Sequence, residues 1–451
     1  MWLLFSLLFA FLLARTSSVR DIHQGVDQSK DHPLRLPLFH VGELQTSETP
    51  LPFSEALSQD DARVKFLNSR LTKKSSNSTK LGRLFDEKSV NVPLNPGNPL
   101  GIGNYYTRIG LGNPTTYHLV VVDTGSSFSW IQCEPCAGYC HTQVGSLFNP
   151  STSNTYQKLS CDTTQCSSLA KATLNSPVCE PSNECIYTAS YGDQSFSVGY
   201  LSKDSLSLGA ESLPSFVFGC GQDNEGLFGK SAGLVGLAKN ELSMLSQLSV
   251  KYGKAFSYCL PTATPLGKIG SGGFLSIGTN TNSAYKFTPM LSISKYPELY
   301  SLKLSYISVS NKPLGVGSTA YSVPTIIDSG TVISRLGVSV YAALREELVK
   351  IISSKYKMAE AFSILDACFV GSSDEISTVV PSVQFVFEGE AELNLAPHNV
   401  IIEVEKGTTC LAFAGNSNRG MAIIGNQQQQ AFNIVYDLES SRIGFAAGGC
   451  H

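Results

Sequence analysis

Charge is scarce in this 451-residue chain: only 15% of residues are Asp, Glu, Lys or Arg, and the formal net charge is -3. That balance lacks the basic footprint of a nucleic-acid binder. With 42% hydrophobic residues, so little charge also excludes a largely disordered chain. Cysteine is missing from the first 132 residues, although twelve follow. Hydrophobic runs of spanning length are missing as well. The one long apolar block, Leu3 to Ala14, is shorter than a comfortable membrane span and is followed by Arg15, small residues and polar sequence. At the N-terminus it reads as a signal peptide over residues 1–18, although a positive charge ahead of it is absent. The C-terminal sequence GFAAGGCH lacks the tail of a lipid-anchor signal, so no membrane anchor is expected.

What is present points to a secreted, mainly β protein. The length suggests two or three domains, and short apolar runs punctuated by Gly and Pro read as strands and tight turns. The cysteines are Cys133, Cys136, Cys140, Cys161, Cys166, Cys179, Cys185, Cys220, Cys259, Cys368, Cys410 and Cys450. An even set behind a secretory start argues for disulfides. A zinc site at Cys133 and Cys136 lacks the second ligand pair it would need, so no metal is expected.

Residues 19–90 differ from the rest. Between Ala62 and Arg83 lie seven basic residues, Arg63, Lys65, Arg70, Lys73, Lys74, Lys80 and Arg83, with no acidic one. Val64, Leu67 and Leu71 have helical spacing within that stretch. A signal peptide ahead and a globular core behind favour a propeptide whose basic helix covers an acidic cleft over the plainer reading of a solvated linker. The one glycosylation sequon, Asn77-Ser78-Thr79, falls in this region.

Beyond it, one pattern occurs twice. Tyr105 to Gly110 and Tyr117 to Val122 read as strands around a Gly112-Asn113-Pro114 turn, and the second ends in Asp123-Thr124-Gly125-Ser126. Ser322 to Ile327 is an apolar run broken by Pro324 and ends in Asp328-Ser329-Gly330-Thr331. Each acidic turn has a later apolar-Gly element, Gly233-Leu234-Val235-Gly236 and Ala422-Ile423-Ile424-Gly425. This is the mark of a duplicated lobe, with the junction near residues 262–275 and lobes over 91–265 and 266–451. The run Gln427 to Gln430 reads as a surface turn or helix. A single Asp-[Thr/Ser]-Gly turn is ordinary loop chemistry. Two of them on a pseudo-twofold axis would set Asp123 and Asp328 face to face. Two carboxylates that close share one proton, so one can act as base on a water while the other polarises a carbonyl.

These segments, VVVDTGSSFSWIQCEPC, YGDQSFSVGYL, TIIDSGTVISRL and AIIGNQQQQ among them, resemble the pepsin-like aspartic protease family. The details are similar to its plant nepenthesin-like branch, including proteins described as chloroplast nucleoid DNA-binding proteases. The resemblance implies a bilobal, mainly β acid-protease fold with a central cleft, and an endopeptidase made as a zymogen, acting on proteins or peptides at acidic pH without a cofactor. It implies cross-lobe bonds from Thr124 and Ser329, bonds from Ser126 and Thr331 to the outer carboxylate oxygens, and tight turns at Gly125 and Gly330. It places Tyr191, Gly192 and Asp193 in a flap over the cleft, with Trp130 behind Tyr191. It also implies the pairs Cys133–Cys136, Cys140–Cys220, Cys161–Cys185, Cys166–Cys179, Cys259–Cys450 and Cys368–Cys410. The expected protein is a monomer of the secretory pathway, in the apoplast or else vacuole or chloroplast, with its own propeptide as an intramolecular inhibitor. The competing readings are a non-catalytic inhibitor on the same fold, such as the plant xylanase inhibitors, which typically lose catalytic-motif residues, and a DNA-associated protease, for which the mature part supplies no basic stripe.

Overall fold

The first acidic motif grows from an antiparallel pair. Tyr105–Leu111 and Thr116–Asp123 align with Tyr106 opposite Val121 and Leu111 opposite Thr116. Gly112 turns the chain between them at φ 85°, a conformation that favours glycine. In this computed structural model the residues described are 52–70, 90–93, 95–96, 103–191, 195–226, 228–262, 273–278, 284–416, 420–448 and 450. The signal peptide, the sequon at Asn77 and residues 263–272 of the lobe junction expected near 262–275 therefore lie outside the described residues.

The first half of the chain builds a ten-stranded sheet, and the second builds sheets of six, four and four strands. A further six-stranded sheet combines both halves: Val90–Pro93, Phe274–Ile277 and Ala255–Cys259 run beside Asn433–Asp437, Arg442–Ala446 and Lys286–Pro289. Its core is aromatic, with Phe256 stacked on Tyr436 at 4.4 Å and Tyr300 edge-on to Tyr436 at 4.6 Å. The architecture is the expected mainly β, bilobal one. The duplicated pattern is realised as geometry. Gly233–Gly236 pairs in parallel with the strand ending at Asp123, and Ala422–Ile424 pairs in parallel with Thr325–Ile327 ahead of Asp328. In the second copy the strand begins only after Pro324, which has no N–H to give to a ladder.

Two expectations need correction. The run Gln427 to Gln430 is a helical turn but not a surface one: all four side chains are buried. Their amides serve buried backbone. Gln428 donates to Asn399 O and Ala412 O, and Gln429 donates to Asp328 O and Ile424 O.

The disulfides also differ from the implied pairing. They are Cys133–Cys220, Cys136–Cys140, Cys161–Cys179, Cys166–Cys185, Cys259–Cys450 and Cys368–Cys410, so only the last two match. Strand register explains the first change. Trp130–Gln132 runs parallel to Gly219–Gly221, and Cys133 N donates to Gly221 O, which sets Cys133 beside Cys220 and leaves Cys136 to Cys140. Burial explains the second: Cys166, on the helix Thr164–Ala172, and Cys185 are both buried, whereas Cys161 and Cys179 lie nearer the surface.

Helix α1, Phe53–Arg70, starts earlier than the basic stretch suggests. Leu57, Val64 and Leu67 are buried along one face, and Leu71 lies outside the described residues. Leu57 joins a cluster with Val332, Ile333 and Leu365, while Val64 and Leu67 join Tyr296, Leu299 and Ile423. Burying each such side chain contributes about 2 kcal/mol, so α1 is held mainly by packing against the second half of the chain.

Candidate active site

Asp123 and Asp328 are where the two lobes meet. Each ends an apolar strand that carries it into the interior, and both are fully buried. Each turn closes on its own carboxylate: Gly125 N donates to Asp123 Oδ1 at 2.9 Å, and Gly330 N donates to Asp328 Oδ1 at 2.9 Å. The glycines face the opposite acid. A Cβ on Gly125 would stand 2.7 Å from Asp328 Oδ1, and one on Gly330 would overlap the Asp123 carboxylate. A side chain at either glycine would strike the opposite carboxylate.

The lobes are tied beneath the pair by reciprocal bonds. Ser329 N donates to Thr124 Oγ1 at 2.9 Å, Thr124 N donates to Ser329 Oγ at 3.2 Å, and Ser329 Oγ donates to Val122 O at 3.2 Å. Thr331 Oγ1 donates to Asp328 Oδ2 at 2.6 Å, as the resemblance implied. Its counterpart is weaker: the Ser126 hydroxyl is not aligned for a well-formed hydrogen bond, yet its side chain still helps to lower the Asp123 carboxyl. The Asp123 oxygens are instead engaged by an arginine.

That arginine is Arg63 of α1. It donates from Nη2 to Asp123 Oδ1 at 2.7 Å, from Nη1 to Asp123 Oδ2 at 3.0 Å, from Nε to Asp328 Oδ2 at 3.1 Å and from Nη2 to Asp328 Oδ1 at 3.1 Å. A planar fork can span two carboxylates in this way, whereas a lysine would act as a single point charge. Burial pushes Asp123 up, but the Arg63 charge and hydrogen bonds and the Gly125 amide outweigh it and the net shift is down. Burial also pushes Asp328 up, and there, with Asp123 adding to it, burial prevails over Arg63. Burial works against the Arg63 charge, yet the two carboxylates hold its pKa above the ordinary arginine value. The two acids thus move apart, as expected of a pair in which one titrates before the other.

Tyr191 follows the strand Cys185–Ser190, and its N–H donates to Ser195 O at 2.8 Å across a hairpin. Trp130 Nε1 donates to Tyr191 Oη at 2.7 Å, which sets the tryptophan against the tyrosine as expected. A cavity beside α1 is walled by Arg63, Gly125, Ser126, Tyr191 and Phe228 together, so Tyr191 faces the same cleft as the acidic turns. Gly192 and Asp193 lie outside the described residues. Among the described residues the one cysteine cluster close enough to suggest a metal, Cys161, Cys166 and Cys185, is consumed by disulfides.

Sequence reasoning missed several residues of the site. Asp60 of α1 accepts from Val332 N at 2.5 Å and Ile333 N at 3.2 Å and pairs with Arg335 at 3.0 Å. Asn68 accepts from Met421 N at 2.9 Å and donates to Asn416. The only signal in the sequence is an arginine set into the apolar run Val332 to Leu336, with nothing nearby in the chain to pair with it.

The family model for the xylanase inhibitor N-terminal domain matches residues 105–279, and that for the xylanase inhibitor C-terminal domain matches residues 299–447. An aspartyl protease family protein of Arabidopsis thaliana is 41% identical, covering 88% of this chain and 82% of that protein. Aspartic proteinase nepenthesin-2 of Nepenthes gracilis is 30% identical over 97% of this chain and 95% of its own. Among solved structures, soybean basic 7S globulin aligns at a TM-score of 0.63 with 22% identity, covering 81% of this chain and 98% of the globulin.

Proposed function

Since the chain belongs to the pepsin-like aspartic protease family, we propose that it is an aspartic endopeptidase made as an inactive precursor, with Asp123 and Asp328 as the catalytic pair. The observation that carries this reading is the pair itself, two buried carboxylates on symmetric glycine turns with opposite pKa shifts. With Arg63 withdrawn, the proton shared by the pair leaves one carboxylate to take a proton from a bound water. The other, protonated, donates to the carbonyl oxygen of the scissile peptide. The water oxygen bonds to the carbonyl carbon, and the tetrahedral species collapses as the C–N bond breaks and the leaving nitrogen receives the proton taken from the water, with no covalent enzyme intermediate. Protein or peptide substrates would lie across the cleft beneath Tyr191.

The precursor reading rests on Arg63. While its guanidinium occupies both carboxylates, neither can engage a water, and α1 lies where a substrate would. Release requires cutting the chain between α1 and the strand Val90–Pro93, which is already paired with Phe274–Ile277. Removal of residues ahead of Val90, in the secretory pathway or outside the cell, would leave the enzyme as a monomer of two lobes. The other reading, a non-catalytic binding protein on this fold, draws on the descriptions of the matching family models. A peptide-library digest at acidic pH, with and without a pepstatin-type inhibitor, separates the two. Inhibitor-sensitive cleavage supports the protease, and none over a long incubation of α1-free protein overturns it.

A further inference from the structure

Helix α1 covers a second set of polar groups besides the acidic pair. Val332 N and Ile333 N both donate to the Asp60 carboxylate. Arg335 Nη2 stands 3.0 Å from Asp60 Oδ2, and among the described residues its one other near carboxylate is Asp61, at 3.9 Å and also on α1. That nitrogen is buried and, for all its closeness to Asp60, is not aligned for a hydrogen bond. The rest of the guanidinium is fixed by the body of the protein, because Nη1 donates to Ile333 O at 2.7 Å. The arginine is only 1% exposed. Two amides and a guanidinium edge therefore converge on one carboxylate position, and the carboxylate comes from a segment that the proteolytic reading removes.

We propose that Val332 N–H, Ile333 N–H and Arg335 Nη2 form a carboxylate subsite of the open cleft, which selects substrates carrying a glutamate or aspartate side chain at one position beside the scissile bond. This rests on the proteolytic reading. The groups follow Asp328 by four to seven residues, and Thr331 between them bonds the Asp328 carboxylate directly. Gly330 and Val332 wall the same cavity as Arg63 and Tyr191. The neighbouring surface, Val332, Ile333 and Leu365, holds Leu57 of α1, so an apolar side chain beside the acidic one also has a place. In this view Asp60 and Leu57 occupy in the precursor the positions that substrate side chains occupy afterwards. With α1 gone the position opens to water, so the burial that raises Asp60 there is relieved while the pull of Arg335 and the two amides on a carboxylate remains.

The test uses protein freed of α1, cut ahead of Val90 by its own acid processing or at a protease site introduced there. Peptide pairs differing only in Glu against Gln, at each position in turn around the scissile bond, are compared at pH 5.5, where glutamate is ionised. Uncleavable analogues with a reduced scissile bond give dissociation constants for the same pairs. One position should favour Glu by about tenfold to a hundredfold in both kcat/KM and Kd, the range of hydrogen bonds to a charged group. Arg335→Gln should shrink that ratio below about threefold in both kcat/KM and Kd. Equal treatment of Glu and Gln at every position, or a preference that survives Arg335→Gln, overturns the subsite. Should Arg335→Gln fail to fold, the parent protein's own Glu-to-Gln ratio decides. Selective binding of the Glu analogue without cleavage of any peptide would uphold the subsite and overturn the proteolytic reading alone.

Discussion

Arg63 of α1 donates two hydrogen bonds to Asp123, at 2.7 and 3.0 Å, across a sequence separation of 60 residues. The same side chain reaches Asp328 twice at 3.1 Å. One guanidinium thus bonds both members of a buried acid pair, and its fork geometry lets it do so without leaving either carboxyl group unpaired.

Replacing Arg63 should therefore unlock the precursor. Arg63→Ala removes the cation while leaving Leu57, Val64 and Leu67 to hold α1 by packing. Losing charge-assisted bonds of about 1.5–3 kcal/mol should raise the rate of precursor processing at least about tenfold. Arg63→Lys should fall between, since an ammonium keeps the charge but lacks the fixed fork that makes four bonds. Time courses followed by mass spectrometry check this, and an Arg63→Ala precursor as slow as the parent would contradict it.

Asp123→Asn and Asp328→Asn should each lower turnover on a protein substrate by at least about a thousandfold, because either change removes one member of the proton-sharing pair. Both α1-free variants should keep the parent's far-ultraviolet circular dichroism. Near-parent turnover by either variant would refute the mechanism.

The pH dependence follows from shifts of opposite direction. Asp123 is held below its ordinary value while α1 is docked, Arg63 overcoming the effect of burial. Its pairing with Arg63 is complete above the ordinary aspartate pKa of about 3.9 and is lost as pH falls through the depressed value. Burial raises Asp60 against the pull of Arg335 and the two amides, so taking up a proton there favours the docked helix and does not help release. Processing should accordingly set in only below about pH 4 and steepen under it. N-terminal sequencing across a pH series checks this, with an Asp123→Asn precursor as control for outside proteases. Onset near pH 6, or equal processing of the control, would contradict it.

All twelve cysteines should be oxidised, with Cys133 linked to Cys220 and Cys136 to Cys140. Peptide mapping without reduction distinguishes this from the implied Cys133–Cys136 pairing, which would instead yield a peptide closed on itself around Glu134 and Pro135. A free thiol at any position would count against both arrangements.

Gln429 is expected to be a sensitive core position. Its amide holds the carbonyls of Asp328 and Ile424, so Gln429→Leu leaves two buried acceptors without that donor and should cost about 2–4 kcal/mol of stability, read from urea unfolding.

The sequence by itself determined the repeat and therefore the pair. Apolar strands ending in Asp-[Thr/Ser]-Gly, each with its apolar-Gly partner strand, are local patterns, and local patterns survive in one dimension. The need for Gly125 and Gly330 follows from two such turns meeting, whereas the cross-lobe bonding of Thr124 and Ser329 was implied only by the family resemblance. What tertiary structure decided were contacts between distant segments. The sequence marks a basic stretch from Ala62 onward, but only the docked helix selects Arg63 from it and adds the acidic Asp60 just ahead of it. Composition suggests that the four glutamines lie at the surface, and only the fold supplies the buried carbonyls that draw them inside. Cysteine spacing leaves many pairings open, and strand register chose among them, because which sulfurs meet depends on which strands lie side by side.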